Sequence, residues 1–140
     1  MKFRYVKIPT GDPHKKWISR PMISIVLYGP RGSIIVDALI DSGADRSLFH
    51  ISLARAIGID VSKYPKATFS GIESGELHAS LCDVKIEILG MRGTTKVAAG
   101  FVDSPGVSAI LGQEGFFDNY RIKFEKDRDI VEIVPAPKAE

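Results

Sequence analysis

With 140 residues, 44% of them hydrophobic and 26% charged, the chain has the size and balance of one folded domain, and residues 1–140 are read as a single unit. The 19 Lys and Arg against 17 Asp and Glu leave a formal charge of +2, spread along the chain rather than gathered into a stripe, which argues against a nucleic-acid partner. The basic start, MKFRYVKIPTGDPHKKW, lacks the continuous apolar run of a signal peptide or membrane span, so the expectation is a cytoplasmic protein with no membrane partner.

Residues 1–20 are left as an N-terminal strand or extension. After them come short β-type runs bounded by Gly, Pro and Asp: MISIVLYG, then SIIVDALID, which is apolar on both faces apart from Asp37. FHISLARAIG reads as a short helix stopped at Gly58. FSGIESGELHA reads as a hairpin, with Gly71 and Gly75 bracketing the turn and Ile72 as an apolar tip. In LCDVKIEILG, Val84, Ile86 and Ile88 alternate with Lys85 and Glu87, whereas Leu77, Ala79 and Leu81 alternate in the opposite phase; a bend near Leu81 and Cys82 must reconcile them. KVAAGFV is a further strand, QEGFFDNY a second short helix, YRIKFE and DIVEIVP a pair of strands joined by the turn EKDRD, and residues 135–140 a loose tail. The sum is a mainly β barrel or sandwich with one or two short helices.

The stretch IDSGADRSLFH carries the chemistry. Asp41 leaves an apolar strand at its carboxyl end, where a charge is partly desolvated. Ser42, Gly43 and Ala44 keep the backbone approachable, so that the Gly43 amide and the Ser42 hydroxyl can orient the carboxylate. One carboxylate can take a proton from water, but amide hydrolysis also needs an acid, and two carboxylates sharing one proton supply both. The chain has a single DSG. Asp103 begins DSPG, where Pro105 removes an amide, so a second carboxylate is expected from the same residue of a second copy across a two-fold axis.

Asp41-Ser42-Gly43-Ala44 resembles the Asp-Ser/Thr-Gly-Ala signature of the retropepsin-like (retroviral-type) aspartic proteases, small homodimeric enzymes. The segment VSAILGQEGFFDNYRIKF resembles the apolar-apolar-Gly element of that family, through Ile110, Leu111 and Gly112. The resemblance spans Met22 to Val134 and implies a closed single-lobe β-barrel, the acid-protease fold. It also implies an Asp41 dyad across a homodimer, hydrolysis of a peptide or protein substrate, and no metal or organic cofactor. It makes Thr68–Ala79 a flap that clamps extended peptide, and assigns substrate contacts to Asp45, Gly71, Ile72, Gly75 and Ile110. In retroviral members an arginine following the apolar-apolar-Gly element pairs with the acid at Asp45; here that position is Gln113. Ser42 is expected to bridge the two catalytic loops.

Other chemistries find little support. His14, His50 and His78 are scattered, with no i, i+4 pair, and Cys82 is the sole cysteine, which excludes an internal disulfide and a cysteine-based metal cluster. No nucleophile elbow, Walker loop or dinucleotide fingerprint occurs. Phe116 and Phe117 read as core. The alternative function is a module of the same fold that binds peptide or dimerises with little turnover.

Overall fold

The computed structural model describes residues 1–71 and 75–137. Its strands run in chain order as β1 (Lys2–Arg4), β2 (Val6–Pro9), β3 (Trp17–Arg20), β4 (Met22–Gly29), β5 (Gly32–Ile40) and β6 (Ser47–His50). The helix α1 (Ile51–Ala56) follows. The chain continues through β7 (Lys66–Gly71), β8 (Gly75–Leu81), β9 (Val84–Ile88), β10 (Thr95–Val97), β11 (Ala99–Val102), β12 (Ala109–Leu111), β13 (Tyr120–Glu125) and β14 (Ile130–Pro135).

Among the described residues, a nine-stranded sheet has the order β10-β9-β4-β5-β12-β6-β11-β8-β7, a three-stranded sheet the order β1-β14-β13, and β2 and β3 form a hairpin. Two pairings in the large sheet are parallel, β5 with β12 and β6 with β11. These bring segments distant in sequence side by side. Ile23, Ile25 and Leu27 of β4 point inward with Val84, Ile86 and Ile88 of β9, against Phe49 and Phe101, whose ring centroids lie 5.9 Å apart. The two phases expected around Leu81 and Cys82 are reconciled by a break: β8 ends at Leu81, Cys82 N–H donates to Ala99 O, and β9 starts two residues on. Cys82 lies buried in the core as a small apolar residue.

Several expectations need correction. β5 is not buried on both faces: Ile35 is 62% exposed and Asp37 is exposed, so only Ala38 and Ile40, with Ile34 and Val36 partly, turn inward. KVAAGFV is two strands separated at Ala98, whose N–H donates to Glu114 O instead of to a ladder neighbour. QEGFFDNY forms only a wide helical turn over Gln113–Phe117, interrupted by an extended Glu114 and a left-handed Gly115. The supposed tail starts inside the fold, because Pro135 pairs with Tyr120 and Ala136 N–H donates to Asn119 O; residues 138–140 lie outside the described residues. The first twenty residues hold three strands, of which β1 pairs with β14. The turn at EKDRD is as expected, with Asp129 left-handed at φ 51°.

The helix α1 is real and its stop is at Gly58, where φ is +82°, a value a side chain would strain. Its N-cap is His50, whose Nδ1 accepts the Ser52 N–H at 3.1 Å and lies 2.8 Å from Ser52 Oγ. Imidazole stands here where a carboxylate or hydroxyl is usual. His50→Ala is expected to lower stability by about 1 kcal/mol, and His50→Asn, which restores a cap acceptor, by less; paired urea melts read the difference. No helix among the described residues is long and apolar enough to cross a membrane.

Candidate active site

Strand β5 ends at Ile40, and the next residue, Asp41, is fixed by its N–H donating to Leu111 O at 3.0 Å. Asp41 is half-buried. The Gly43 N–H donates to Asp41 Oδ1 at 2.9 Å and the Ala44 N–H to Asp41 O at 3.2 Å, so the carboxylate is oriented by the tight turn that follows it. The exposed loop Ser42–Asp45 would be loose if that were all. It is instead fastened to residues 112–114: Gln113 N–H donates to Ala44 O at 2.8 Å, Glu114 N–H to Asp45 O at 2.9 Å, and the Gln113 side-chain amide to Ser42 O at 2.7 Å. The residue that replaces the expected arginine therefore acts on the backbone of Ser42. No ion pair of Asp45 with Gln113 is chemically available.

Beneath the loop, Gly112 comes so close that a β-carbon on it would sit 2.6 Å from Ala44 O and 2.7 Å from Arg46 O. Its own N–H donates to Ser47 Oγ at 3.1 Å, and Ser47 is fully buried. Sequence reasoning passed over Ser47, because its partner is remote in the chain and only the β5-β12-β6 crossing brings them together. Ser47→Ala leaves the buried Gly112 N–H without an acceptor, and a loss of about 1–3 kcal/mol is expected in denaturant titration.

A cleft of about 270 Å³ opens beside this loop, lined by Gly43, Ala44, Asp45, Arg46, Leu48, Phe69 and Leu77. Phe69 and Leu77 are register partners of the β7–β8 hairpin, so that hairpin forms one wall. Gly71 and Gly75 pair at its end, with Gly75 at φ +74°, while Ile72 lies outside the described residues. Ile110 does not line this cleft. It faces a separate one of about 200 Å³ with Ile8, Met22 and Leu39, although its register partner Leu48 belongs to the first. Another cleft, of about 430 Å³, lies where β1 meets the β13–β14 turn and contains none of the expected site residues. Among the described residues, no three His, Cys, Asp or Glu side chains converge as a metal site. Asp103 is no partner for Asp41: it is drawn to His50, with 3.8 Å between Oδ1 and Nε2. The structure thus puts Gly43, Ala44 and Asp45 in the lining of a cleft, while Asp41 and Ser42 precede them on the same loop and are not part of that lining. It also adds Arg46, Leu48, Phe69 and Leu77, for which the only signal in the sequence was proximity to the motif or to the hairpin.

No family model matches the chain, and no curated protein does. Among solved structures, the crystal structure of a retropepsin-like aspartic protease from Rickettsia conorii is similar, with a TM-score of 0.60 and 14% identity over 96% of this chain and 98% of that one. At that identity the likeness establishes the fold alone: a mainly β chain of the retropepsin-like kind with short helical segments.

Proposed function

We propose that residues 1–140 form one aspartic endopeptidase domain that works as a homodimer, its sheet curling into the closed barrel of that fold. The observation that carries the reading is the oriented Asp41, fixed by the Gly43 amide at 2.9 Å and by Leu111 at 3.0 Å, at the start of a loop whose next residues, Gly43 to Arg46, line a cleft bordered by a hairpin.

Two copies of Asp41 share one proton across the dimer axis. The ionised one takes a proton from a water whose oxygen attacks the peptide carbonyl carbon, while the protonated one gives its proton to the carbonyl oxygen. The tetrahedral diol then collapses: the carboxyl that took the water's proton gives it to the leaving nitrogen, the C–N bond breaks, and the other carboxylate takes a hydroxyl proton of the diol, which leaves the carboxylic acid and restores the singly protonated dyad. The substrate lies extended, its main chain bonded by the β7–β8 hairpin as an added strand and by the exposed Asp45. Ser42 bridges the two loops. The partly exposed Met22, Leu39 and Ile110, which line one cleft, offer apolar surface for subunit contact.

The test is mass-spectrometric detection of cleavage in a diverse peptide mixture at mildly acid to neutral pH, with sedimentation at the same concentrations. Cleavage by a dimer supports the reading. Activity by a species that sediments only as monomer sinks the shared dyad, and a folded dimer that binds peptides without cutting them leaves the binding module.

A further inference from the structure

Around the catalytic loop the backbone is spent internally, as the bonds of Asp41, Ala44, Asp45 and Gly112 show. Arg46 is different. It lines the cleft with Asp45, Leu48, Phe69 and Leu77, and its side chain is only 21% exposed. Among the described residues its Nε is buried without a hydrogen-bond partner. The counter-charge nearest its head, Asp83 Oδ1, is 3.9 Å from Nη2, too far for a hydrogen bond, and Asp83 is shared with Lys96 Nζ, also at 3.9 Å.

A guanidinium offers donors in a planar fork that matches a carboxylate through two parallel bonds. A largely buried one that leaves Nε unpaired carries an unrecovered desolvation cost, which an incoming acceptor removes. No hydrogen bond has to break for the head to turn into the cleft, since the Asp83 pair is loose. The surrounding walls are apolar: Leu48, Phe69 and Leu77 would receive methylene groups and leave a charge at the end of them to Arg46. Asp45 is exposed and addresses main-chain N–H donors, so the two charges serve different parts of one ligand.

We infer that Arg46 makes the cleft selective for peptides with a glutamate side chain at the subsite walled by Leu48, Phe69 and Leu77. The inference rests on the peptide-hydrolase reading and adds to it the chemistry of the preferred substrate.

The experiment uses full-length protein carrying Asp41→Asn, so that bound peptides survive, immobilised and exposed to a pool of randomised extended peptides that are eluted and sequenced by mass spectrometry. Three proteins are compared: Arg46 unchanged, Arg46→Gln and Arg46→Glu, each first checked for a cooperative melt. With Arg46 present, glutamate is enriched over glutamine about tenfold at one peptide position, as a charge-assisted bidentate contact requires. The preference disappears in Arg46→Gln and turns to lysine and arginine in Arg46→Glu. Should Arg46→Glu not fold, Arg46→Gln carries the comparison alone. Glutamate enrichment that survives Arg46→Gln, or peptides captured by Arg46 with no charge preference, overturns the assignment and leaves the hydrolase reading standing. If no peptide is enriched on any of the proteins, assignment and reading fall together.

Discussion

Asp41→Asn is expected to abolish peptide-bond hydrolysis, by at least about a thousandfold, because it removes both the base that deprotonates water and the acid that protonates the carbonyl. The fold should survive. An asparagine Oδ1 still accepts the Gly43 N–H, and the Asp41 backbone bond to Leu111 is untouched, so the change in stability is expected to be about 1 kcal/mol or less. The variant also tests the dimer directly. When equal amounts of wild-type and Asp41→Asn chains are exchanged to random dimers, only about a quarter of the pairs hold two intact carboxylates, and activity should fall to that level. A decline to one half would mean that each Asp41 works alone, and the shared dyad would be wrong. A dyad also demands a rate that falls on both sides of an optimum, as one carboxylate gains and the other loses its proton.

A large loss of stability is expected at Gly112→Ala. A methyl group there meets the carbonyl oxygens of Ala44 and Arg46 at 2.6 and 2.7 Å, and these are backbone atoms that cannot swing aside as a side-chain end could. Relief requires the Ser42–Arg46 loop to lift from residues 112–114, which gives up the Gln113 and Glu114 bonds and the Ser47 contact. A loss of about 3 kcal/mol or more is expected, the upper range for overpacking, with cleavage impaired in whatever protein still folds. Gly43→Ala is the milder companion, since its β-carbon would touch only Asp41 Oδ1, at 3.3 Å. Urea titration of both variants orders them. A Gly112→Ala protein as stable as Gly43→Ala would show that the loop is not anchored where the structure places it.

The local signals in the sequence were read well where one strand or turn suffices. MISIVLYG and YRIKFE coincide with β4 and β13, Gly58 ends the helix, and Val84, Ile86 and Ile88 all turn inward. Periodicity and turn chemistry act over a few residues, so they need no knowledge of the rest of the chain. What was missed depends on distant partners. Residues 2–4 form β1 only against β14, and β6 is too short to announce itself and exists through its pairings with β11 and β12. In the site, the turn at Asp41 was legible because its acceptor and donors are adjacent. Ser47 and Gln113 were not, since their value lies in partners some seventy residues away along the chain. Ile35 was misread because apolar composition cannot say which face a neighbour will cover.

The pairing of Lys2, Phe3 and Arg4 with Glu132, Val131 and Ile130 has a further consequence, for the order in which the molecule is made. The amino group of Met1 donates to Ile133 O at 2.7 Å and Ile133 N–H returns the bond to Met1 O, so these residues are tied to partners 132 positions further along. The Asp41 loop likewise waits for residues 111–114 to hold it. On the ribosome, both β1 and the Asp41 carboxylate stay without these supports until the later partner residues have been added. Contacts of such long sequence separation form slowly and give no reward until the loop between them closes. A nascent chain of this kind acquires its oriented acid late, after the surfaces around it have taken shape.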